Sequence, residues 1–165
     1  MILIGIGANL PGPGQIDARA TCEAAFRSLE DRGIEVTVTS PWYESEPVPR
    51  SDQPWYVNAV AGLVCGLAPG ELLALLHEVE AAFGRVRGAP NAARTLDLDL
   101  LDHDGVISEG EGWPILPHPR LHARAFVLLP LRDIAPDWTH PRSGAALDAL
   151  IAALPADQRI RRMDG

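Results

Sequence analysis

Apolar and polar positions alternate in several short stretches of this chain, and two longer stretches repeat with a helical period. Ile2 to Gly7 reads as a first strand. Ile16 to Arg32 puts Cys22, Ala25, Phe26 and Leu29 on one side, the pattern of a helix, and Gly33 stops it. Ile34, Val36 and Val38 alternate with Glu35, Thr37 and Thr39, as in a half-buried strand. Val57 to Val64 is the next strand. Pro69 suits the first turn of a helix running from Glu71 to Phe83, with Leu72, Leu76, Val79 and Phe83 as its apolar stripe. Glu80 shares that side, so its carboxylate either edges into solvent or serves a site. Gly84 ends the helix.

The stretch Arg94-Thr95-Leu96-Asp97-Leu98-Asp99-Leu100-Leu101 has the period of a strand. Leu96, Leu98 and Leu100 share one face; Thr95, Asp97 and Asp99 share the other. Asp102-His103-Asp104-Gly105 then reads as a tight turn, with Val106-Ile107 returning as a short strand. The prolines of Pro114 to Pro119 forbid a helix there. Ala123 to Leu129 is a short helix that Pro130 ends or kinks, and Ala145 to Leu154 is a C-terminal helix. Residues 156–165 form a charged tail expected to be loose. Two connections are long: Ser40 to Trp55, with four prolines, and the basic loop from Arg85 to Asn91. The order strand–helix–strand–strand–helix–strand predicts an α+β, ferredoxin-like antiparallel sheet with packed helices, in a single domain spanning 1–165.

Composition narrows the function. The 165 residues carry 47% hydrophobic and 22% charged residues, enough for one well-formed core. A net charge of −8 argues against a nucleic-acid partner or an anionic membrane surface. All 14 basic residues are arginine. Without lysine there is neither a P-loop lysine nor a Schiff base. Cys22 and Cys65 read as small apolar residues, not as a disulfide frame or a zinc site. The chain opens on Met1-Ile2-Leu3-Ile4 with no basic leader and contains no span-length apolar run. The expectation is a cytoplasmic protein with no obligate protein partner.

The chemistry centres on the Asp-x-Asp strand. Two like charges on one strand face repel, and folding alone does not ask for them. A divalent cation removes the conflict, and hard carboxylate oxygens suit Mg²⁺ or Mn²⁺ carried with phosphates. Arg94 could hold an anionic partner of such ions. The alternative is an amphipathic strand with a solvated acidic face.

Three stretches resemble one enzyme family, 6-hydroxymethyl-7,8-dihydropterin pyrophosphokinase. They are Asp52-Gln53-Pro54-Trp55-Tyr56-Val57-Asn58-Ala59; Glu80, then Gly84-Arg85-Val86-Arg87 and Arg94-Thr95-Leu96-Asp97-Leu98-Asp99; and Pro117-His118-Pro119-Arg120-Leu121-His122 through Arg124-Ala125-Phe126. Gly5-Ile6-Gly7-Ala8-Asn9-Leu10 is similar too, with Ala8 where the family usually has serine. The resemblance implies transfer of the β,γ-pyrophosphate of ATP to the pterin hydroxymethyl group. ATP is then the co-substrate, two Mg²⁺ ions sit on Asp97 and Asp99, and Arg85, Arg94, Asp97 and Asp99 are the catalytic set. It assigns His77, Glu80, Arg87, Arg94, His118 and Arg124 to ATP. It assigns Ser45, Glu46, Val48, Tyr56, Asn58 and Phe126 to the pterin. Glu46 departs from the family's usual proline, and Asn91-Ala92-Ala93 replaces a common Trp-Gly-Pro. His118 and His122 are spaced as a helical metal pair, but the prolines around them argue against a helix. Two other classes remain: nucleotidyl transfer or cyclisation on a similar sheet, and a non-enzymatic nucleotide or metal sensor.

Overall fold

The computed structural model describes residues 1–47, 51–84, 95–109 and 114–163. Its frame is an antiparallel sheet of six strands. β1 (Ile2–Ala8) lies at the centre, between β4 (Tyr56–Val64) and β5 (Asp97–His103). The far side of β4 is covered by two short strands end to end, β2 (Glu35–Thr39) and β3 (Tyr43–Ser45). β6 (Ile160–Arg162) adds to β3 at the margin. Between β5, β1, β4 and β2 the order is that of the expected ferredoxin-like sheet.

The helices pack on both faces. α1 (Ala18–Asp31) and α2 (Pro69–Ala82) cover the face built from Ile2, Ile4 and Ile6 of β1, Ala59, Ala61 and Leu63 of β4, and Leu98 and Leu100 of β5. α3 (Ala125–Ile134) and α4 (Leu147–Ala152) cover one end of the opposite face, over Leu3, Val60 and Leu101. The rest of that second face is open, because β1 presents Gly5 and Gly7 there instead of large side chains.

Local signals explain the helix limits. Asp17 caps α1 by accepting the Ala20 N–H at 2.7 Å. Gly33, at φ +88°, closes its C-terminus while the Ile34 N–H bonds back to Leu29. Ile16, expected inside this helix, is 90% exposed and lies outside it. Pro69 opens α2, as the sequence suggested.

Several elements differ from expectation. The connection from Ser40 to Trp55 contains β3, whose three residues are too few to show a period. α3 runs through Pro130 to Ile134 rather than ending there. The missing N–H costs one helical hydrogen bond, but burial of Leu128, Pro130 and Leu131 on the second face outweighs it. Asp104 and Gly105 form the expected turn, both at positive φ. Val106 and Ile107 stay exposed and form no strand; among the described residues of this segment the pairing is the isolated Ser108–Leu116 bridge. Asp102 and His103 belong to β5, not to the turn. α4 is shorter at both ends than the helix expected over Ala145 to Leu154. Within the tail expected to be loose, Ile160–Arg162 is a strand, with Ile160 paired to Ser45 and Arg162 to Tyr43.

Candidate active site

A cleft of about 600 Å³ opens on the second sheet face, bounded by the start of α3 and the segment before β6. The strand register builds its floor. Asp99 stands opposite Gly5, and Gly5 opposite Val60; Asp97 stands opposite Gly7, and Gly7 opposite Asn58. The two glycines leave an open lane between the aspartates of β5 and the amide of β4. Asp97 and Asn58 sit two strand spacings apart, about 10 Å between backbones. An irregularity at Leu101 shifts the β1–β5 register, so that Leu3 pairs with Asp102. Asp102 thereby points into the second layer, where Trp138 Nε1 donates to it at 2.9 Å.

Asp97 and Asp99 are both half-buried and line the cleft. Arg124 supplies a counter-charge, its guanidinium 3.7 Å from the Asp99 carboxylate and 5.2 Å above the Phe126 ring. Among the described residues no cluster of three or more His, Cys, Asp or Glu side chains forms a complete protein cage for a metal. A pair of carboxylates without such a cage is what Mg²⁺ uses when substrate phosphates and water complete its shell.

The opposite wall carries the amide and aromatic groups. Asn58 is buried, and its Oδ1 accepts from the Ser45 hydroxyl. That bond fixes the amide's orientation and turns Nδ2 toward Gly7. Tyr56 and Phe126 line the cleft as half-buried rings. Glu46 lines it too, with Arg159 Nε 3.5 Å from its carboxylate. Behind this wall Tyr43 donates to Asp133 of α3; burial, then that carboxylate, pushes its phenol up to about 12.

His118 lies against β5, donating its backbone N–H to Leu101 at 2.8 Å. Its Nδ1 accepts the Arg120 N–H at 3.1 Å. Burial first, and then the Arg124 charge, hold its pKa down at about 4. The ring is therefore neutral at pH 7, with its proton on Nε2.

Residues 3–136 match the family described as 7,8-dihydro-6-hydroxymethylpterin-pyrophosphokinase. The 2-amino-4-hydroxy-6-hydroxymethyldihydropteridine pyrophosphokinase of Pseudomonas aeruginosa is 40% identical over 164 residues, covering 99% of this chain and 97% of that one. The enzyme of the same name from Synechocystis is 40% identical over 90% of this chain and 73% of its own. That of Haemophilus influenzae is 38% identical over 85% of this chain and 84% of its own. The chain belongs to the 7,8-dihydro-6-hydroxymethylpterin-pyrophosphokinase family.

Of the residues matched to this pyrophosphokinase family from sequence, Ser45, Glu46, Tyr56, Asn58, Asp97, Asp99, Arg124 and Phe126 meet in the one cleft. His118 stands beside it, close enough for Arg124 and Asp97 to act on its charge. His77 is exposed on α2. Glu80 does not edge into solvent: it is 2% exposed and accepts the Leu98 N–H at 2.8 Å, closing the outer edge of β5. Val48, Arg85, Arg87 and Arg94 lie outside the described residues, as do Asn91, Ala92 and Ala93. His122 is exposed, in a 3₁₀ turn at Leu121–Ala123, with its ring edge-on to His140.

Four cleft features were not singled out from sequence. Gly5 and Gly7 form the floor; their period-2 spacing on β1 was the available signal. Gln53 reaches the cleft through Asn9, whose Nδ2 donates to Gln53 Oε1 at 3.0 Å and to the Pro54 carbonyl at 3.2 Å. Arg120 lies within a matched motif but had no role assigned. Gln158 comes from the tail, where nothing local marks it.

Proposed function

We propose that this chain transfers the β,γ-pyrophosphate of ATP to the hydroxymethyl group of 6-hydroxymethyl-7,8-dihydropterin, releasing AMP and the pterin diphosphate, in folate biosynthesis. One observation supports this most: in a chain of this family, a paired-carboxylate strand and an amide-and-aromatic slot face each other across a floor of glycines. The heterocycle lies between Tyr56 and Phe126, and Asn58 reads its amide-like edge. Ser45 holds Asn58 in the orientation that does so. Glu46 lines that wall, and Val48 is assigned to the pterin with it. The lane of about 10 Å to Asp97 leaves room for the hydroxymethyl arm and a phosphate.

Asp97 and Asp99 would hold two Mg²⁺ ions, which when bound offset charge on the phosphate oxygens. The donor set fits: oxygen ligands only, on one strand face, with no side chain on Gly5 or Gly7 in the way. The pterin hydroxyl oxygen attacks the β-phosphorus, the bond from that phosphorus to the α,β-bridging oxygen breaks, the oxygen leaves with AMP, and the hydroxyl proton passes to water. Little covalent work falls to the protein, so positioning dominates. Arg124 supplies a planar fork for phosphate oxygens, and neutral His118 a single N–H donor. Arg85, Arg87 and Arg94 act on the same phosphates, Arg85 and Arg94 in the transfer step. His77 and Glu80 belong to the ribose end, Glu80 also holding β5 in place.

We take 1–165 as one pyrophosphokinase domain that works without nucleic acid or an obligate protein partner. No helix among the described residues is long and apolar enough to cross a membrane. The use of ATP fits the cytoplasm, the compartment we infer. The test is AMP release from Mg²⁺-ATP with and without the pterin. Pterin-dependent AMP supports the assignment. Release of inorganic pyrophosphate points to nucleotidyl transfer, and no turnover points to a sensor.

A further inference from the structure

We infer that Gln158 is a positioning residue for Arg124, and through it for the nucleotide phosphates; this rests on the function proposed above. Gln158 lies outside residues 3–136, which carry the family match. Its side chain nevertheless reaches back more than thirty residues to bracket Arg124 on both sides. Its Oε1 accepts the Ala125 N–H at 2.8 Å, and its Nε2 donates to the Ala123 carbonyl at 2.8 Å. A backbone donor and a backbone acceptor together allow only one orientation of the amide.

The Ala125 N–H is the first donor of α3, and Arg124, at the capping position, makes no side-chain cap. Helix starts need an acceptor for such donors. Gln158 provides one from a distant part of the chain. The bracket holds the backbone of Arg124 extended, at φ −117° and ψ 114°, between the 3₁₀ turn and α3. From there the guanidinium reaches Asp99 and the face of Phe126.

Gln158 is itself anchored on the opposite wall. Next to it, the Arg159 carbonyl accepts the Glu46 N–H at 3.0 Å, and the Arg159 guanidinium lies 5.8 Å from the Trp55 ring. Arg161 lies 5.3 Å from the same ring and ion-pairs with Glu44 at 3.3 Å. The segment from Gln158 to Arg161 thus joins the Glu46 wall to the Arg124 wall. Loss of the Gln158 amide frees Arg124 without removing its charge.

A double-mutant cycle tests this. Gln158→Leu, Arg124→Ala and the pair are compared by calorimetric titration with a non-hydrolysable ATP analogue and Mg²⁺, and by AMP production. Gln158→Met keeps an unbranched stem while removing both hydrogen bonds, and replaces the leucine variant if that one does not fold. Expected is an analogue Kd about fivefold weaker in Gln158→Leu, the scale of one lost oriented hydrogen bond, and little further loss when Arg124→Ala is already present. An equal loss in both backgrounds, or none in either, overturns the inference. If wild-type protein binds the analogue but makes no pterin-dependent AMP, the functional reading falls while the binding cycle still judges Gln158. If it does not bind the analogue, both fall.

Discussion

Replacing Gly7 by alanine isolates the architecture of the cleft in one methyl group. Gly7 is not among the residues at positive φ, so alanine strains no backbone there. The difficulty is contact: its Cβ would lie 2.7 Å from Asn58 Nδ2, where real Cβ atoms are essentially never found. The amide must retreat about 0.7 Å to reach ordinary contact at 3.4 Å. It cannot swing freely, because Asn58 is buried and tied to the Ser45 hydroxyl. Losing that bond costs about 1 kcal/mol, and overpacking a filled site costs about 1–3 kcal/mol more. At this chain length the sum, about 2–4 kcal/mol, lowers Tm by about 4–16 °C. Because Asn58 is the proposed reader of the pterin, its displacement should raise the pterin KM about tenfold or more, at about 1.4 kcal/mol per decade. Gly5→Ala is the control for stability, since the nearest atom to its Cβ belongs to Leu101 at 3.6 Å, an ordinary contact. Thermal melts and steady-state kinetics with each substrate varied in turn provide the readout. Wild-type Tm and pterin KM in Gly7→Ala, or equal damage from Gly5→Ala, would refute the reasoning.

Asp97→Ala and Asp99→Ala should each cut AMP production by several orders of magnitude while leaving the melt intact, since each removes a like-charge repulsion on one strand face; near-normal turnover in either would sink the two-ion assignment. Glu80→Ala should lower stability by about 1–3 kcal/mol, because the Leu98 N–H loses its acceptor within a buried contact; denaturant titration measures this, and an unchanged midpoint with only a raised ATP KM would mean that ribose contact is its whole role. In protein free of nucleotide and Mg²⁺, the His118 ring should titrate near pH 4 by NMR. Its folded pKa lies below the unfolded value, so the unfolded chain binds more protons. The stability it contributes is therefore full above about pH 6.5 and is lost as pH falls toward 4. Melts of His118→Gln against wild type over that window check the sign.

Strands with a long enough period were legible. Ile2, Ile4 and Ile6, or Leu96, Leu98 and Leu100, repeat often enough to declare a buried face, and the structure puts them on the α1–α2 side. β3 and β6 were not, because three residues cannot show a period and each exists only by pairing with its neighbours. Pro130 misled for a related reason. Local rules end a helix at proline, whereas the apolar residues on both sides of it were committed to one buried layer.

The candidate site divides along the same line. Asp97 with Asp99, and Tyr56 with Asn58, are spaced two apart, so alternation alone placed each pair on one face. Which face, and what it looks onto, depended on glycine: an absence of side chains reads in sequence as a break in a strand, not as the floor of a cleft. Glu80 shows a further limit. From sequence its carboxylate was left between solvent and a site; burial removes the first, and the fold also uses it as the acceptor for the open edge of the strand that carries both aspartates. Gln158 was less visible still, since its partners are backbone groups at Ala123 and Ala125, which any residue type would offer. Side chains that touch substrate announce themselves by type and spacing; side chains that hold backbone in place do so through geometry that only the folded chain creates. The second group decides whether the first is aimed, and so mutations of Gly7, Glu80 and Gln158 are the ones that separate a correct residue inventory from a correct structure.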